Sequence, residues 1–267
     1  MSGAPPRRIK SAERTLALFE LFSREQQPFT VGHIARALAI PQPSVSMLLR
    51  NLQDQGYLEY DAVTRTFAPS IRVALLGAWV DRRFSQAGEI GARLSELQIR
   101  IGETAFIGIQ NGASAQYVLS QYADHPDRLE VVSGEFRSLT CSAMGRALLC
   151  LRPDDEILRW VRRCNAEATE DRFKVRETEF LQRIQTYRLQ GFAETAGDVT
   201  AGAGAFAICV RSPMGGSALA VGLGGPLERI LPRRSQMTQA LLEFKRSYDA
   251  AMATGTDELG RAAPMHM

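Results

Sequence analysis

TVGHIARALAIPQPSVSMLLRNLQDQGYLEY, residues 30 to 60, predicts two short helices, a tight turn and the first strand of a hairpin. Apolar residues of the second helix recur at i, i+3, i+4 and i+7, which places them on one inward face: Val45, Leu48, Leu49 and Leu52. Pro41 and Pro43 separate the two helices, and Pro43 is expected to hold Gln42 extended just before the second helix begins. Gly56 is expected to end that helix in a left-handed conformation.

The outward face of the second helix predicts a surface that contacts DNA. Residues 58–61 and 66–68 predict two strands joined by a turn, and a hairpin in this place is typical of a winged helix-turn-helix, whose second helix enters the major groove. Glutamine can pair with adenine, serine with base edges or phosphates, methionine with a thymine methyl, and arginine with guanine or phosphate. The expected contacts are Gln42 just before the helix, Ser44, Ser46, Met47 and Arg50 on it, and Arg65 at the tip of the hairpin. The alternative is an ordinary helical hairpin with a solvated polar face.

Composition favours a folded protein whose attraction to DNA is local. Of the 267 residues 45% are hydrophobic, and the net charge of +3 is far from that of a polycation. Residues 1–69 contain eight Lys and Arg against six Asp and Glu. No apolar run approaches the roughly 20 residues that span a bilayer, and the chain opens without a signal-peptide core, so a cytoplasmic protein without membrane association is expected.

Cysteine and histidine spacing indicates neither a metal site nor a disulfide framework. The four cysteines lack CxxC spacing, and the three histidines share no ligand spacing: Cys141, Cys150, Cys164, Cys209, His33, His125 and His266. Buried, reduced thiols are expected. Neither a metal nor a cofactor is predicted.

Residues 70–84 predict a helix with two apolar faces. One face carries Val73, Leu76 and Val80, and the other carries Leu75 and Trp79. Two such faces suit packing within one chain and packing against a second copy equally well, and the pattern does not choose between them.

The remainder of the chain predicts an α+β domain with antiparallel strands and with its helices gathered on one side. A hairpin turns at Asn111-Gly112, and LEVVS at 129–133 predicts a further strand. Three helices and three strands follow between residues 142 and 224. A final helix is predicted from Leu227 to about Met252, and residues 254–267 have no periodic apolar face, so a disordered tail is expected there.

Five blocks of sequence resemble, in order and spacing, the IclR family of bacterial transcriptional regulators. They are SAERTLALFELF from Ser11, IARALAIPQPSVSMLLRNLQDQGYLEYD from Ile34, LTCSAMGRALL from Leu139, GFAETAGD from Gly191 and ALAVGLGGP from Ala218. The resemblance implies a winged helix-turn-helix domain at 1–69, a linker helix at 70–85 and a GAF-like effector-binding domain at 86–253. It also implies homodimers or dimers of dimers on inverted-repeat operators of double-stranded DNA. Pro43 and Met47 depart from the usual hydroxyl and basic residues of the family, so a less cationic recognition surface is expected.

The resemblance also implies a set of effector-binding residues. The loop Ala143-Met144-Gly145 matches the segment that cradles ligands in the family, and backbone N–H groups at a helix N-terminus suit a carboxylate. A plain helix start is the alternative. The matching strand positions are Thr195, Ala205, Gly222 and Gly224. Because they offer one hydroxyl and little bulk, a wide apolar cavity for an aromatic or longer organic acid is expected, and Gly222→Leu or Gly224→Leu should fill it without affecting DNA binding.

Enzyme motifs are weak in this sequence. The run Gly202 to Ala207 fits GxGxxA, but strand residues follow it where a dinucleotide-binding helix should begin. Cys141 could be proposed as a nucleophile, yet the central domain holds only His125 as a partner, and a structural thiol is the favoured interpretation. We therefore predict a ligand-responsive transcriptional regulator of a catabolic operon and no enzyme. The alternative is a small-molecule-binding sensor or enzyme with a non-functional helix-turn-helix.

Overall fold

The computed structural model describes residues 9–86, 90–212, 216 and 218–261, and the side chains of all of these except 79–86 and 254–261. The chain forms two compact units, residues 1–82 and 83–267. Each unit has its own hydrophobic core. In the described part of the chain no helix is long and apolar enough to cross a membrane.

The first unit is a three-helix core followed by a hairpin, and its last two helices and the hairpin are as predicted. Its elements are α1 (Lys10–Glu25), α2 (Val31–Ala37), α3 (Gln42–Asp54), β1 (Leu58–Asp61) and β2 (Thr66–Pro69). Thr30 caps α2 because its hydroxyl accepts a hydrogen bond from the His33 N–H at 3.3 Å. Gly56 has φ +78°, so the predicted left-handed stop after α3 is confirmed.

The start of α3 differs from the prediction. Gln42 is already the first helical residue, and Pro41 rather than Gln42 takes the extended conformation before the helix. Pro43 is accommodated within the first turn because the N–H groups of that turn have no partner inside the helix, so the missing donor of proline costs nothing there.

The core of the first unit joins the helices to the hairpin. Val45, Leu49 and Ile34 are fully buried together with residues of α1. Phe29 and Phe67 exchange two backbone hydrogen bonds of 3.0 and 2.8 Å, which fix the hairpin against the loop before α2. The hairpin therefore has a defined position relative to α3, as a wing must have to act with it.

Helix α4 (Ile71–Gln86) leaves the hairpin with large apolar side chains in contact with solvent. Ile71, Leu75 and Leu76 are 76%, 64% and 57% exposed. Val73 is half-buried, so the two predicted faces are not equally covered. The Trp79 and Val80 side chains lie outside the described residues.

The second unit is built on a six-stranded antiparallel sheet in the order β5-β4-β3-β8-β7-β6. Its strands are β3 (Thr104–Asn111), β4 (Ser114–Gln121), β5 (Phe136–Ser138), β6 (Ala193–Ala196), β7 (Ala203–Val210) and β8 (Leu219–Pro226). Its helices are α5 (Ile90–Ile101), α6 (Ala143–Leu149), α7 (Asp154–Glu167), α8 (Glu177–Gln190), α9 (Leu227–Ile230) and α10 (Arg234–Arg261), with a short 3₁₀ turn at Asp171–Phe173. The α+β class and the antiparallel sheet are thus confirmed.

The expectation that the helices gather on one side is wrong, because both faces of the sheet are covered. Helices α6, α7 and α8 pack on the face that carries Phe106 and Ala207, whereas α5 and α10 pack on the face that carries Ile107 and Phe206. Alternate residues of one strand enter opposite cores, so each central strand is apolar on both sides. The sequence AFIGI of β3 already indicated a strand buried on both faces, because apolar residues do not alternate with polar ones in it.

Two further elements differ from the sequence prediction. LEVVS at 129–133 is not a strand, because side chains bind its carbonyl groups: Thr104 Oγ1 donates to Leu129 O at 2.8 Å, and the Tyr122 hydroxyl donates to Val131 O at 2.7 Å. The predicted final helix is split into α9 and α10 around Pro232, which cannot continue a helix begun at Leu227.

The end of the chain also departs from the expected tail. The backbone of α10 is helical to Arg261, past the expected end at Met252. Helix propagation adds one hydrogen bond per residue, so a helix can extend beyond its buried face. Residues 262–267 of the expected disordered tail lie outside the described residues.

Candidate functional site

The outward surface of α3 carries the predicted contacts in an accessible arrangement. Met47 is 70% exposed, and Gln42 and Arg50 are also exposed. Ser44 and Ser46 are half-buried at the edge of the helix packing. Met47 lies opposite the buried Val45 and Leu49, as the periodicity predicted, whereas Gln42, three residues before Val45, lies at the exposed start of the buried face.

The tip of the wing has a specific backbone conformation that projects Arg65. Arg65 has φ +55°, a left-handed conformation that is uncommon outside glycine. The turn is held by the Asp61 carboxylate, which accepts the N–H groups of Val63 at 2.8 Å and Thr64 at 3.3 Å. Hydrogen bonds from the Thr64 hydroxyl and from these two backbone groups lower the pKa of Asp61. The Arg65 side chain is exposed at this ordered tip.

The second unit contains a cavity of about 360 Å³ between two loops and the sheet. One wall is formed by residues 127–131 and the other by residues 199–202. Thr195, Ala203 to Ala205 and Pro226 come from the strands, while Tyr117, Arg137 and Ser142 close the remaining sides. Small-molecule sites commonly have volumes of about 300–1,000 Å³, so this cavity has the size of a small organic ligand.

The predicted ligand-cradling loop is not part of this cavity. Ala143, Met144 and Gly145 are all buried in the first turn of α6. Ser142 caps the helix, because its Oγ accepts the Gly145 N–H at 3.1 Å. The prediction of a free Gly145 N–H for a carboxylate is therefore wrong, and the alternative of a plain, capped helix start describes this segment.

The two strand glycines make room for the protein's own side chains. A Cβ on Gly222 would lie 2.3 Å from the Phe106 ring, and a Cβ on Gly224 would lie 2.5 Å from Leu129 Cδ2. Neither glycine lines the cavity, so the prediction that Gly222→Leu or Gly224→Leu would simply fill it is wrong. Of the residues predicted to bind the effector, Thr195 and Ala205 do line the cavity.

Two arginines tie the cavity loops to the body of the domain. Arg146 of α6, with 3% of its side chain exposed, donates at 2.8 Å to the carbonyls of Thr140 and Glu194 and to Asp198 Oδ1. Arg229 of α9 contacts Asp127 Oδ2 at 2.8 Å and the buried Glu103 Oε2 at 2.9 Å. Asp198 precedes one loop wall and Asp127 begins the other, so each wall has one ionic anchor.

The two arginines keep the carboxylates of Asp198 and Asp127 in their charged form. Burial would raise the pKa of Asp198, but the hydrogen bond and charge of Arg146, with the Ala196 N–H, outweigh it and lower that pKa. The hydrogen bond from Arg229 lowers the pKa of Asp127, and the hydrogen bonds that Arg229 donates to Glu103 raise the pKa of Arg229. Burial raises the pKa of Tyr117 to about 12, so a neutral hydroxyl faces the cavity.

Sequence reasoning missed most of the polar groups around the cavity: Tyr117, Arg128, Arg137 and Ser142. Arg128 lies in a segment interpreted as a loop and strand, and Tyr117 lies in a strand interpreted only as half of a hairpin. Arg128 and Arg137 add two basic side chains to the lining of the cavity. Burial of Tyr117 beside Phe106, with ring centroids 5.2 Å apart, could not be read from spacing.

The enzyme alternative gains no catalytic group from the cysteines. Cys141 is buried, and its thiol donates to the Phe173 carbonyl at 3.3 Å. Burial raises the pKa of Cys150 to about 11, the opposite of nucleophile activation. Among the described residues, no group of three His, Cys, Asp or Glu side chains is placed to hold a metal ion.

Comparison with known proteins identifies both units. The family model of the IclR helix-turn-helix domain matches residues 11–62, and that of the bacterial transcriptional regulator IclR C-terminal domain matches residues 87–250. The chain belongs to the IclR family. It is therefore a transcriptional regulator with a helix-turn-helix DNA-binding domain and a C-terminal effector domain, and the predicted family is confirmed.

Two relatives of this IclR-family chain are distant in sequence but cover almost all of it. The HTH-type transcriptional regulator BhcR of Paracoccus denitrificans is 26% identical over 95% of this chain and 91% of its own length. A glycerol operon regulatory protein of Streptomyces griseus is 22% identical over 94% and 97%. These relatives are regulators rather than enzymes, as was predicted for this chain.

Solved structures show the same IclR fold. An IclR transcriptional regulator from Alicyclobacillus acidocaldarius has a TM-score of 0.75 at 20% identity and covers 92% of this chain and 100% of its own. An IclR homolog from Microbacterium hydrocarbonoxydans, solved in complex with 4-hydroxybenzoate, has a TM-score of 0.74 at 15% identity and covers 91% and 99%.

Proposed function

We propose that this IclR-type regulator binds an inverted-repeat operator and controls a catabolic operon in response to an aromatic or other organic acid. The observation that carries the proposal is the cavity of about 360 Å³, which has two charge-anchored loop walls and lies in the effector domain. The regulator is proposed to act in the cytoplasm, with residues 1–69 as the DNA-binding domain, 70–85 as the linker and 86–253 as the effector domain.

A homodimer or dimer of dimers is part of this proposal. An inverted repeat requires two equivalent recognition helices related by a two-fold axis. The exposed Ile71, Leu75 and Leu76 on α4 supply an apolar surface that a second copy would cover. No charged residue interrupts this surface between Val73 and Val80.

The proposed DNA contacts are Gln42, Ser44, Ser46, Met47 and Arg50 on α3 and Arg65 on the wing. Their support is the exposure of Gln42, Met47 and Arg50 on α3, with Ser44 and Ser46 half-buried beside them, together with an ordered wing tip. Arg50→Ala and Arg65→Ala are expected to weaken operator binding without unfolding the domain, because both side chains are exposed. Each phosphate contact that is lost should reduce the salt slope of binding, measured by fluorescence anisotropy, by about one unit.

Arg176→Ala is the matched control for these two variants. Arg176 is 84% exposed in the effector domain and pairs with Glu179, so the net charge changes equally without touching the recognition surface. If Arg50→Ala or Arg65→Ala retains the affinity and salt slope of Arg176→Ala, that arginine is not a DNA contact.

The proposed effector site is the cavity lined by Thr195 and Ala205, not the α6 segment. The cavity combines apolar residues, Leu129, Val131 and Ala205, with the Tyr117 and Thr195 hydroxyls and two arginines. This mixture suits a carboxylate on an apolar body better than a two-carbon acid. The structure of a family member with 4-hydroxybenzoate bound adds support at the level of the fold.

Thermal shift measurements test the effector proposal. An acid that binds only the folded protein should stabilise it by roughly 2.7 kcal/mol at a hundredfold excess over its Kd. Benzoate, 4-hydroxybenzoate and 3-phenylpropionate are expected to raise the Tm more than glyoxylate and pyruvate do, and the best of them should change operator affinity. A larger shift from glyoxylate or pyruvate than from every aromatic acid would contradict the proposed ligand class.

A further inference from the structure

We propose that Arg128 binds the carboxylate of the effector and that Glu130 occupies Arg128 until the effector displaces it. The inference rests on the proposed effector function of the cavity and assigns the residue that recognises the charge. It follows from the position of the guanidinium, from its incomplete hydrogen bonding and from the pairing of the other charges around the cavity.

The Arg128 guanidinium is held at the cavity wall by an aromatic platform. Its Cζ lies 5.2 Å from the centroid of the Tyr122 ring. The Tyr122 hydroxyl in turn donates to Val131 O at 2.7 Å, which fixes the ring against the same loop. A guanidinium stacked on a fixed ring keeps its orientation and leaves its N–H edge available for a ligand.

The N–H groups of Arg128 are only partly used by the protein. The side chain makes one contact with Glu130, from Nη2 to Oε1 at 3.3 Å. Its Nε is buried and has no hydrogen-bond partner within the described ranges 9–86, 90–212, 216 and 218–261. Arginine offers a planar fork of donors that a carboxylate can bind with both oxygens. Glu130 accepts a hydrogen bond from Nη2 only, and the buried Nε–H still lacks an acceptor among the described residues.

The other charged side chains around the cavity have stronger partners. Asp127 is bound by Arg229 at 2.8 Å. Arg137 lies against the Glu135 carboxylate at 2.5 Å and donates to the Phe136 carbonyl at 3.0 Å. Glu130 is 71% exposed, and an exposed pair at 3.3 Å contributes little to stability, so it is easily exchanged. Of the cations that line the cavity, Arg128 therefore has the ion pair that an anionic ligand can replace with the smallest loss of free energy.

The chemistry of the neighbouring residues defines the ligand as a monocarboxylate with an apolar body. Leu129 and Val131 flank Arg128 in the sequence and line the cavity with Ala205. One available guanidinium matches one carboxylate. A dicarboxylate would place its second charge near Asp127 or Glu130, which lie in the same wall.

Calorimetric titration of the full chain with paired acids and amides tests this inference. The probes are 4-hydroxybenzoate and benzoate with their neutral amides, 4-hydroxybenzamide and benzamide. Arg128→Gln is expected to weaken binding of the acids by about tenfold to a hundredfold, as the loss of a charge-assisted hydrogen bond implies, and to change binding of the amides by less than about threefold. Glu130→Gln is expected to strengthen binding of the acids, because the competing carboxylate is removed, and to leave the amides unchanged.

Two reference variants separate this inference from the proposed function. Ala205→Leu, which fills the cavity, should abolish binding of acids and amides alike, whereas Arg176→Gln removes a distant exposed charge and should change neither. If Ala205→Leu abolishes binding and Arg128→Gln binds the acids as the wild type does, the cavity is correct and the assignment of Arg128 is overturned. If no acid binds the wild type, or if Ala205→Leu binds normally, the proposed effector cavity itself is overturned.

Discussion

Gly145→Ala is expected to prevent stable folding of the effector domain. A Cβ at this position would lie 2.3 Å from Leu139 Cα and 2.4 Å from Leu139 O, distances far inside van der Waals contact. Leu139 is completely buried, and its backbone cannot turn away as the end of a flexible side chain can. Overpacking typically costs about 1–3 kcal/mol, and a clash with backbone should exceed that range. Total stability is only about 5–15 kcal/mol, so the loss should be evident in urea unfolding followed by near-UV circular dichroism.

Gly91→Ala is the matched control for this prediction. Gly91 lies in α5 of the same domain, and a Cβ there would meet only Leu119 Cδ2, at an ordinary 3.7 Å. Gly91 is in the first turn of α5, where alanine gains at most the roughly 1 kcal/mol by which it is favoured in a helix interior, so this variant should be about as stable as the wild type or slightly more so. Equal unfolding midpoints for Gly145→Ala and the wild type would show that the α6 segment can shift, and its place in the effector domain would need revision.

Arg146→Met is expected to destabilise the domain by about 3–5 kcal/mol and to weaken effector binding, because a buried ion pair would lose one partner. Methionine keeps much of the side-chain volume but removes one donor each from the Thr140 carbonyl, the Glu194 carbonyl and the Asp198 carboxylate, the last two of which keep the Tyr187 hydroxyl and the Ala196 N–H. Asp198 precedes the loop wall 199–202, so the loss should be felt at the cavity as well as in unfolding. Urea unfolding and titration with an acid measure the two effects separately.

A double-mutant cycle with Asp198→Asn isolates the ion pair from the two carbonyl contacts. In the Arg146→Met background, Asp198→Asn should cost much less than in the wild type, because the carboxylate has already lost its partner. The pH dependence provides a second check. Since the folded-state pKa of Asp198 is lowered below 3.8, its contribution is complete above pH 3.8 and is lost as pH falls through the folded-state value. Additive costs, or a difference between wild type and Asp198→Asn that persists at the acid limit, would contradict a coupled pair.

The DNA-binding half could be predicted from the sequence almost element by element, because local signals decide it. The spacing of Val45 and Leu49, the Thr30 cap and the Gly56 stop each act within a few residues. The start of α3 was misplaced by one residue because proline fits both just before a helix and within its first turn. Proline disfavours a helical conformation of the residue before it, but this rule alone did not show whether Gln42 precedes α3 or begins it.

The cavity could not be predicted in the same way, because its lining depends on contacts between distant segments. The glycines of ALAVGLGGP suggested open space, but that space is filled by Phe106 and Leu129, whose approach no local pattern reveals. Ser142 is likewise recognisable as a helix cap, yet its use of the Gly145 N–H removes the very group assigned to a ligand. Resemblance pointed to two residues that line the cavity, Thr195 and Ala205, and the places of Arg128 and Arg137 in its wall became visible only in three dimensions.

The strand surface beneath the cavity has a consequence for how this regulator can acquire new specificity. Ala203, Gly204 and Ala205 on β7 present at most a methyl group to the cavity, so that strand offers few side chains to exchange. Much of the remaining lining, including Arg128, comes from residues 127–131 and 199–202, two short loops each held by a single arginine outside the cavity, while Tyr117, Arg137 and Thr195 come from the sheet. Loop grafting between relatives, with Arg146 and Arg229 retained, should therefore transfer ligand preference while the sheet and its two cores remain untouched.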